Sequence, residues 1–250
     1  MSQHFSKLRN NEKTVYEGRD LESMSLALNY HRWVLDIFSP YLGARIVEVG
    51  AGSGSCSELL LMRPIESFTA VEPSVEMYQL LKAHLALIRS SAKIDYHNSV
   101  FRQVAASIRS EQEPDSIVYV NVLEHIEDDV NELVAMNETL KKGGRIFIFV
   151  PALTWLYGAF DRQIQHFRRY TKAELEGKCQ QAGFELIKSH YFDLPGILPW
   201  WVKYRVLKST SLGPGAVKLY DKLAVPFIRI AESIITPPIG KNLILIAEKQ

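Results

Sequence analysis

Between Arg45 and Val150 short β-branched runs alternate with segments of helical periodicity, and this alternation constrains the fold more than any other feature of the chain. Arg45–Val49 reads as a buried strand, Ser55–Leu61 as a helix, and Phe68–Val71 as a second strand closed by Glu72 and Pro73. That is already one βαβ unit. A helix over Val75–Ile88, strands near Lys93–Tyr96 and at Ser116–Val120, a helix over Asp129–Leu140 and a strand at Arg145–Val150 continue the pattern. Parallel strands joined by crossover helices need both sheet faces covered, so a doubly wound α/β sheet is expected. Ahead of it, Leu26, Tyr30, Trp33, Val34, Ile37 and Phe38 recur at helical spacing and predict an amphipathic leading helix over about 20–42.

After Pro151 a polar and aromatic loop leads to Thr171, which forms a capping box with Glu174 and starts a helix that runs to about Ala182. Phe184–Tyr191 and Leu243–Ala247 read as the last two strands. The stretch between them, about 192–238, is too long for an ordinary connection and is expected to be a helical cap inserted into a single domain spanning 1–250.

With 29 basic and 28 acidic side chains the formal charge is +1, so a broadly basic nucleic-acid-binding surface is excluded and no nucleic acid partner is expected. Cys56 and Cys179 are far apart and lack CxxC spacing, which argues against a disulfide framework and a thiolate zinc site. Met1–Arg19 has no apolar core of the kind a secretory signal needs, and no apolar run approaches the roughly 20 residues that cross a bilayer. A cytoplasmic location is expected.

The strongest local signal is Glu48-Val49-Gly50-Ala51-Gly52-Ser53-Gly54, where a strand hands over to a helix. Glycines at such a turn let a ligand approach main-chain atoms that a Cβ would block. The dinucleotide fingerprint GxGxxG would need glycine at Ser55, and the acidic Glu48 would repel a phosphate and favour a cationic ligand group. Glu72, at the end of the next strand, is placed to accept both hydroxyls of a ribose.

These residues, together with Asn121-Val122-Leu123-Glu124-His125-Ile126 and Leu140-Lys141-Lys142-Gly143-Gly144, resemble the class I S-adenosylmethionine-dependent methyltransferases. The resemblance implies a Rossmann-like sheet of seven strands in the order 3-2-1-4-5-7-6, with the last strand antiparallel. It implies that Gly50, Gly52 and Gly54, flanked by Glu48, pack against the methionine part of S-adenosylmethionine, that Glu72 holds the ribose, and that Asn121 meets the amino end through its backbone. Relatives carry an aspartate for the adenine amino group after the third strand; here Asn98 or Ser99 would substitute. The flanks Asn29-Tyr30-His31-Arg32-Trp33, Asp161-Arg162 and His166-Phe167-Arg168-Arg169-Tyr170 are similar to bacterial methyltransferases of the type 11/12 group, and Tyr30 with Trp33 would close the cofactor pocket. Two other readings stay open at this point: a nicotinamide-dependent oxidoreductase, and an inactive relative that keeps the cofactor site to bind a partner.

Methyl transfer is an in-line displacement, so the protein aligns donor and acceptor and can remove a proton from the attacking group. His166, in the loop after the fifth strand, and His125, after the fourth, are the candidate bases. Arg168 and Arg169 could bind an acidic acceptor. Some methyltransferases use an ExxEH arrangement to bind Mg²⁺; here Glu124, His125 and His166 are present but Asn121 replaces the first carboxylate, and no metal is expected. The acceptor is expected to be a small or lipid-linked molecule, methylated at oxygen. In the cap, Trp200, Trp201, Tyr204 and Tyr220 accompany Lys203, Arg205, Lys208, Lys218, Lys222 and Arg229. That mixture suits either an aromatic lid over the site or a membrane-facing element.

Overall fold

The computed structural model describes residues 27–209 and 213–250. Met1–Arg19 and the first part of the expected leading helix lie outside the described residues. The helix itself, α1, spans Leu28–Phe38 and ends in a tight turn at Ser39–Tyr41, where Pro40 removes an amide donor. There follow β1 (Arg45–Val49), α2 (Ser55–Leu61), β2 (Ser67–Val71), α3 (Val75–Leu85), β3 (Lys93–His97), α4 (Phe101–Gln112), β4 (Ser116–Val120), α5 (Asp129–Thr139) and β5 (Arg145–Pro151). Then come a short α6 (Ala159–Gln163), α7 (Lys172–Gln181) and β6 (Phe184–Phe192).

Helix α4 is not among the elements expected from the sequence, although Phe101, Ala105 and Ile108 point inward at helical spacing. The side chain of Thr171 caps α7 by accepting from the Glu174 amide at 3.2 Å, one half of the expected capping box.

Between β6 and the final strand β7 (Asn242–Lys249) lies the expected helical insertion. Its first arm is α8 (Ile197–Trp200), continued by a π-helical stretch Trp201–Val206. Its second arm is α9 (Pro214–Leu219), a π-helical Tyr220–Ala224, and α10 (Val225–Ile234).

Among the described residues seven strands form one sheet in the order β3-β2-β1-β4-β5-β7-β6. All pairings are parallel except those of β7, which runs antiparallel to both β5 and β6. Successive strand residues face opposite sides. Val47, Tyr119, Ile148 and Leu245 therefore pack on one face against Phe101, Leu133 and Leu175 of α4, α5 and α7. Ile46, Val118, Phe147 and Ile244 pack on the other against Val34, Leu60, Leu81 and Ile228 of α1, α2, α3 and α10. The second arm of the insertion thus belongs to the same face as the leading helix, whereas Ile197 and Trp200 of the first arm pack against the other cluster.

Candidate active site

In an open sheet of this order the winding direction reverses between β1 and β4, and the crevice beyond their carboxyl ends is where ligands bind. A cavity of about 580 Å³ opens there, walled by Glu48, Gly50, Gly52 and Asn121 from the two strand ends and by Tyr30 and His31 from α1. Gly50 has φ +69°, and a Cβ on it would clash with Val122. Gly52 has φ +55°, and a Cβ on it would meet no protein atom within 4 Å, so this side of the loop faces open space.

Glu72 lies outside the cavity wall and braces the loop from behind, accepting from the Gly52 amide at 2.8 Å and the Ser74 amide at 2.8 Å. Burial raises its carboxyl while these two amides oppose the shift. Glu48 is a buried wall residue that accepts a hydrogen bond from the Ser57 hydroxyl. Burial pushes its carboxyl up to about 8, with Ser57 opposing and Glu72 adding, so at neutral pH it ionises when a cation is set beside it.

Asn121 takes a left-handed φ of +55°, which asparagine tolerates, and its amide donates to the Phe149 carbonyl at 2.8 Å. In this parallel register the next donor, the one that would serve the Asn121 carbonyl, is residue 151. Pro151 has no N–H, so the ladder supplies that carbonyl no donor.

Gly54, Asn98 and Ser99 do not wall the cavity. A Cβ on Gly54 would come within 3.0 Å of Leu81, so this glycine serves helix packing. The Asn98 amide nitrogen donates to the carbonyls of Glu72 and Pro73 at 2.9 and 3.2 Å, and the Ser99 hydroxyl is 2.9 Å from Gln103. Tyr30 reaches the cavity with its ring, while its hydroxyl donates to Asp193 at 2.9 Å and accepts from Asn242 at 2.6 Å.

On the opposite wall Glu124, His125 and His166 meet, with one ligand atom from each lying within 4.8 Å of the others. The two imidazole rings stand edge to face, 4.6 Å apart. The His166 Nδ1 is 3.2 Å from Asp161 Oδ1, which also accepts from Arg169 Nε at 2.7 Å. This leaves His166 Nε2 facing Glu124 Oε1 at 3.7 Å.

Burial lowers His166, Asp161 opposes the shift, and Arg169 adds to it. His125 goes down to about 3 through burial and the neighbouring His166, against a hydrogen bond to the Gln165 backbone. Glu124 is fully buried, neither carboxylate oxygen has a hydrogen-bond partner among the described residues, and burial pushes it up to about 8. Two imidazoles and a buried carboxyl without a hydrogen-bond partner therefore face one space.

A family model described as a methyltransferase domain matches residues 23–189. The chain belongs to the methyltransferase family. A ubiquinone biosynthesis O-methyltransferase of Xanthomonas euvesicatoria pv. vesicatoria (strain 85-10) is 25% identical over 188 residues, covering 68% of this chain and 73% of the relative. One from Aromatoleum aromaticum is 26% identical over 156 residues, covering 57% and 64%.

A SAM-dependent methyltransferase from Archaeoglobus fulgidus shares the fold, with a TM-score of 0.61, 18% identity, and coverage of 96% of this chain and 100% of that one. The magnesium protoporphyrin IX methyltransferase of Synechocystis PCC 6803, solved with bound SAM, gives 0.54 at 11% identity, covering 96% and 86%. The protein is thus an S-adenosylmethionine-dependent methyltransferase, and the nicotinamide cofactor is not retained.

In this methyltransferase the expected role of Arg168 and Arg169 toward an acidic acceptor meets other partners. Arg168 pairs with Asp129 at 2.7 Å and donates to the Glu127 carbonyl at 2.6 Å, and Arg169 is buried against Asp161. The cations that wall the methyltransferase cavity beside Arg169 are Lys203 and Lys241.

Sequence reasoning missed Asp161 as the partner of His166, because the five-residue separation becomes a contact only through the short α6. It also missed His31, whose Nδ1 has no hydrogen-bond partner among the described residues and which burial lowers to about 4, Asp221 opposing. The only hint was its place in the run Asn29-Tyr30-His31-Arg32.

Proposed function

We propose that this methyltransferase acts on an oxygen atom of a small-molecule or lipid-linked acceptor in the cytoplasm, with His166 as the proton acceptor. The observation that carries the reading is the Asp161–His166 pair at the cavity wall. An Nδ1–H held by Asp161 would fix the tautomer and leave the Nε2 lone pair on the side of Glu124, where an acceptor hydroxyl would have to enter. Asp161 would then stabilise the imidazolium formed when the proton arrives. His125, stacked edge-on against His166, would orient it. The names of the O-methyltransferase relatives support oxygen as the accepting atom, and the two buried free thiols fit a reducing compartment.

S-adenosylmethionine supplies an activated methyl group on a sulfonium. Toward it, Glu48 and the Asn121 carbonyl would face the cationic amino end, Gly50 and Gly52 would pack on the methionine chain, and Tyr30 would close over it. Gly54 would hold the loop on α3. Glu72 would exchange part of its grip on the loop for the ribose hydroxyls, and the Asn98 carbonyl oxygen or Ser99 would accept from the adenine. Glu72→Ala is accordingly expected to weaken S-adenosylhomocysteine binding by about 1.5–3 kcal/mol, as for a hydrogen bond to a charged group. Calorimetry on the folded variant checks this, and unchanged affinity would remove the ribose assignment.

A second reading is favoured by the two unpartnered oxygens of Glu124. With His125 and His166 they would hold a divalent cation, and one carboxylate with two imidazoles suits a transition metal better than Mg²⁺. The two readings separate in one assay, methyl transfer to a catechol acceptor before and after dialysis against a chelator. Activity that survives chelation and Glu124→Gln but not His166→Ala supports the base alone. Loss on chelation with recovery on adding Zn²⁺ or Mn²⁺ supports the metal. O-methylation itself fails as a reading if the product of acceptors bearing both oxygen and nitrogen carries its methyl on nitrogen.

A further inference from the structure

Three aromatic residues of the insertion are turned inward, whereas Trp201 and Phe227 are exposed. Trp200, Tyr204 and Tyr220, together with Lys203, wall the cavity. Its outer surface is built from other residues. Along the second arm Leu219, Leu223, Phe227, Ile230 and Ile234 recur at intervals of four, four, three and four, which is one face of a helix. They are 61, 56, 74, 62 and 78% exposed. The opposite face of the same arm is the one that packs, with Asp221, Val225 and Ile228 buried. In the first arm Leu198, Val202 and Val206 form a second exposed row at four-residue spacing. An isolated exposed leucine is ordinary on a protein surface, but two helical rows of them are not.

Charge on the insertion is divided by face. Its three acidic side chains are turned inward: Asp193 is buried against Lys241, Asp221 accepts from the amides of Asn29 and Tyr30, and Glu232 accepts from those of Asp193 and Leu194. Lys208, Lys218 and Lys222 are exposed, as are Arg205 and Arg229, although Arg229 also pairs with Asp36. The outward surface is therefore apolar and cationic together. No helix among the described residues is long and apolar enough to cross a membrane. A short helix with this division lies in the plane of a bilayer, its apolar row among the acyl chains and its lysines against anionic headgroups.

We propose that the inserted helices dock this protein on the surface of an anionic lipid bilayer through the Leu219–Ile234 row. The same arms form the cavity wall on their inner side, so docking would set the cavity against the membrane and give a lipid-linked acceptor a route that does not pass through water. The docking surface is read from the outer face alone and does not depend on which acceptor is used.

The test is cosedimentation of the full chain with vesicles of phosphatidylcholine, with and without phosphatidylglycerol, in the absence of any acceptor. The wild type is expected to pellet with the anionic vesicles, and Phe227→Glu/Ile230→Glu to partition at least about tenfold more weakly. Lys218→Glu/Lys222→Glu should lose the preference for phosphatidylglycerol. Thermal melting and S-adenosylhomocysteine calorimetry on the same variants should be unchanged, since none of these side chains walls the cavity. A wild type that stays in the supernatant with both vesicles, or a double-glutamate variant that pellets like the wild type, overturns the proposal. So does a solution dimer that Phe227→Glu/Ile230→Glu dissociates without any vesicle binding, because a second copy would then cover the face. Loss of S-adenosylhomocysteine binding in the wild type would count against the cofactor assignments and leave the docking result standing.

Discussion

Replacing His166 by alanine is expected to slow methyl transfer by about 10²–10⁴-fold while S-adenosylhomocysteine affinity stays nearly unchanged, the range for loss of a positioned general base. The residues assigned to the cofactor lie at the ends of β1, β2, β3 and β4 and on α1, whereas His166 enters from the loop that follows α6. Removing the imidazole leaves the fold's contacts in that loop in place. Asp161 still accepts from Arg169 at 2.7 Å and from the Gly158 amide at 2.8 Å, so the buried carboxylate keeps a cationic partner. Single-turnover rates, with calorimetry on the same preparation, check both halves of the expectation. A normal rate would make His166 structural, and a joint collapse of rate, affinity and thermal stability would mean that the loop, not the base, had been lost.

Asp193→Ala is expected to destabilise the protein by about 3–5 kcal/mol, the usual cost of removing one partner of a buried ion pair. At this size that lowers Tm by roughly 6–20 °C. Asp193 is fully buried. It accepts from Lys241 Nζ and the Tyr30 hydroxyl at 2.9 Å each, from the Tyr220 hydroxyl at 2.6 Å, and from the Gly196 amide at 3.0 Å. One carboxylate thereby ties the leading helix, both arms of the insertion and the start of β7 together. Lys241 sits over the rings of Tyr30, Trp200 and Tyr220 at 5.1, 5.5 and 5.7 Å, and without Asp193 its charge would be left among them.

Burial alone would raise the Asp193 carboxyl, but Lys241 and the two tyrosine hydroxyls outweigh it and hold the group below its ordinary value. A depressed folded value gives stability that is complete above the unfolded value of about 3.9 and is lost as pH falls through the lower folded one. Acid melting curves should therefore show a smaller loss between pH 4 and the acid transition in Asp193→Ala than in the wild type, because the variant has already forfeited that contribution.

The sheet was legible because each strand is a short β-branched run next to a turn residue, and Arg45–Val49 and Ser116–Val120 begin and end where the sequence puts them. The glycine turn after β1 was legible for a related reason, since Gly50 and Gly52 occupy left-handed conformations that other residues adopt only under strain. Contacts between distant segments left no such mark. Nothing in the order of residues says that Asp193 gathers Tyr30, Tyr220 and Lys241, or that Asp161 holds His166. The insertion shows the same limit from another side. Its composition pointed to a lid or a membrane element, and the insertion has both an aromatic inner face and an apolar, cationic outer one, but which residues face which way depends on the packing of Val225 and Ile228 against the body of the fold. Likewise, the missing ladder donor for the Asn121 carbonyl follows from a proline thirty residues later that becomes its neighbour only in the sheet.

The most direct measurement is a crystal structure with S-adenosylhomocysteine. The ribose hydroxyls are expected within hydrogen-bond reach of Glu72, the amino group against Glu48 and the Asn121 carbonyl, and the sulfur on the side of the cavity that faces His166. An occupied cavity in which Glu72 keeps both of its amide partners and the ribose rests on another side chain, or a sulfur turned away from His125 and His166, would contradict the account.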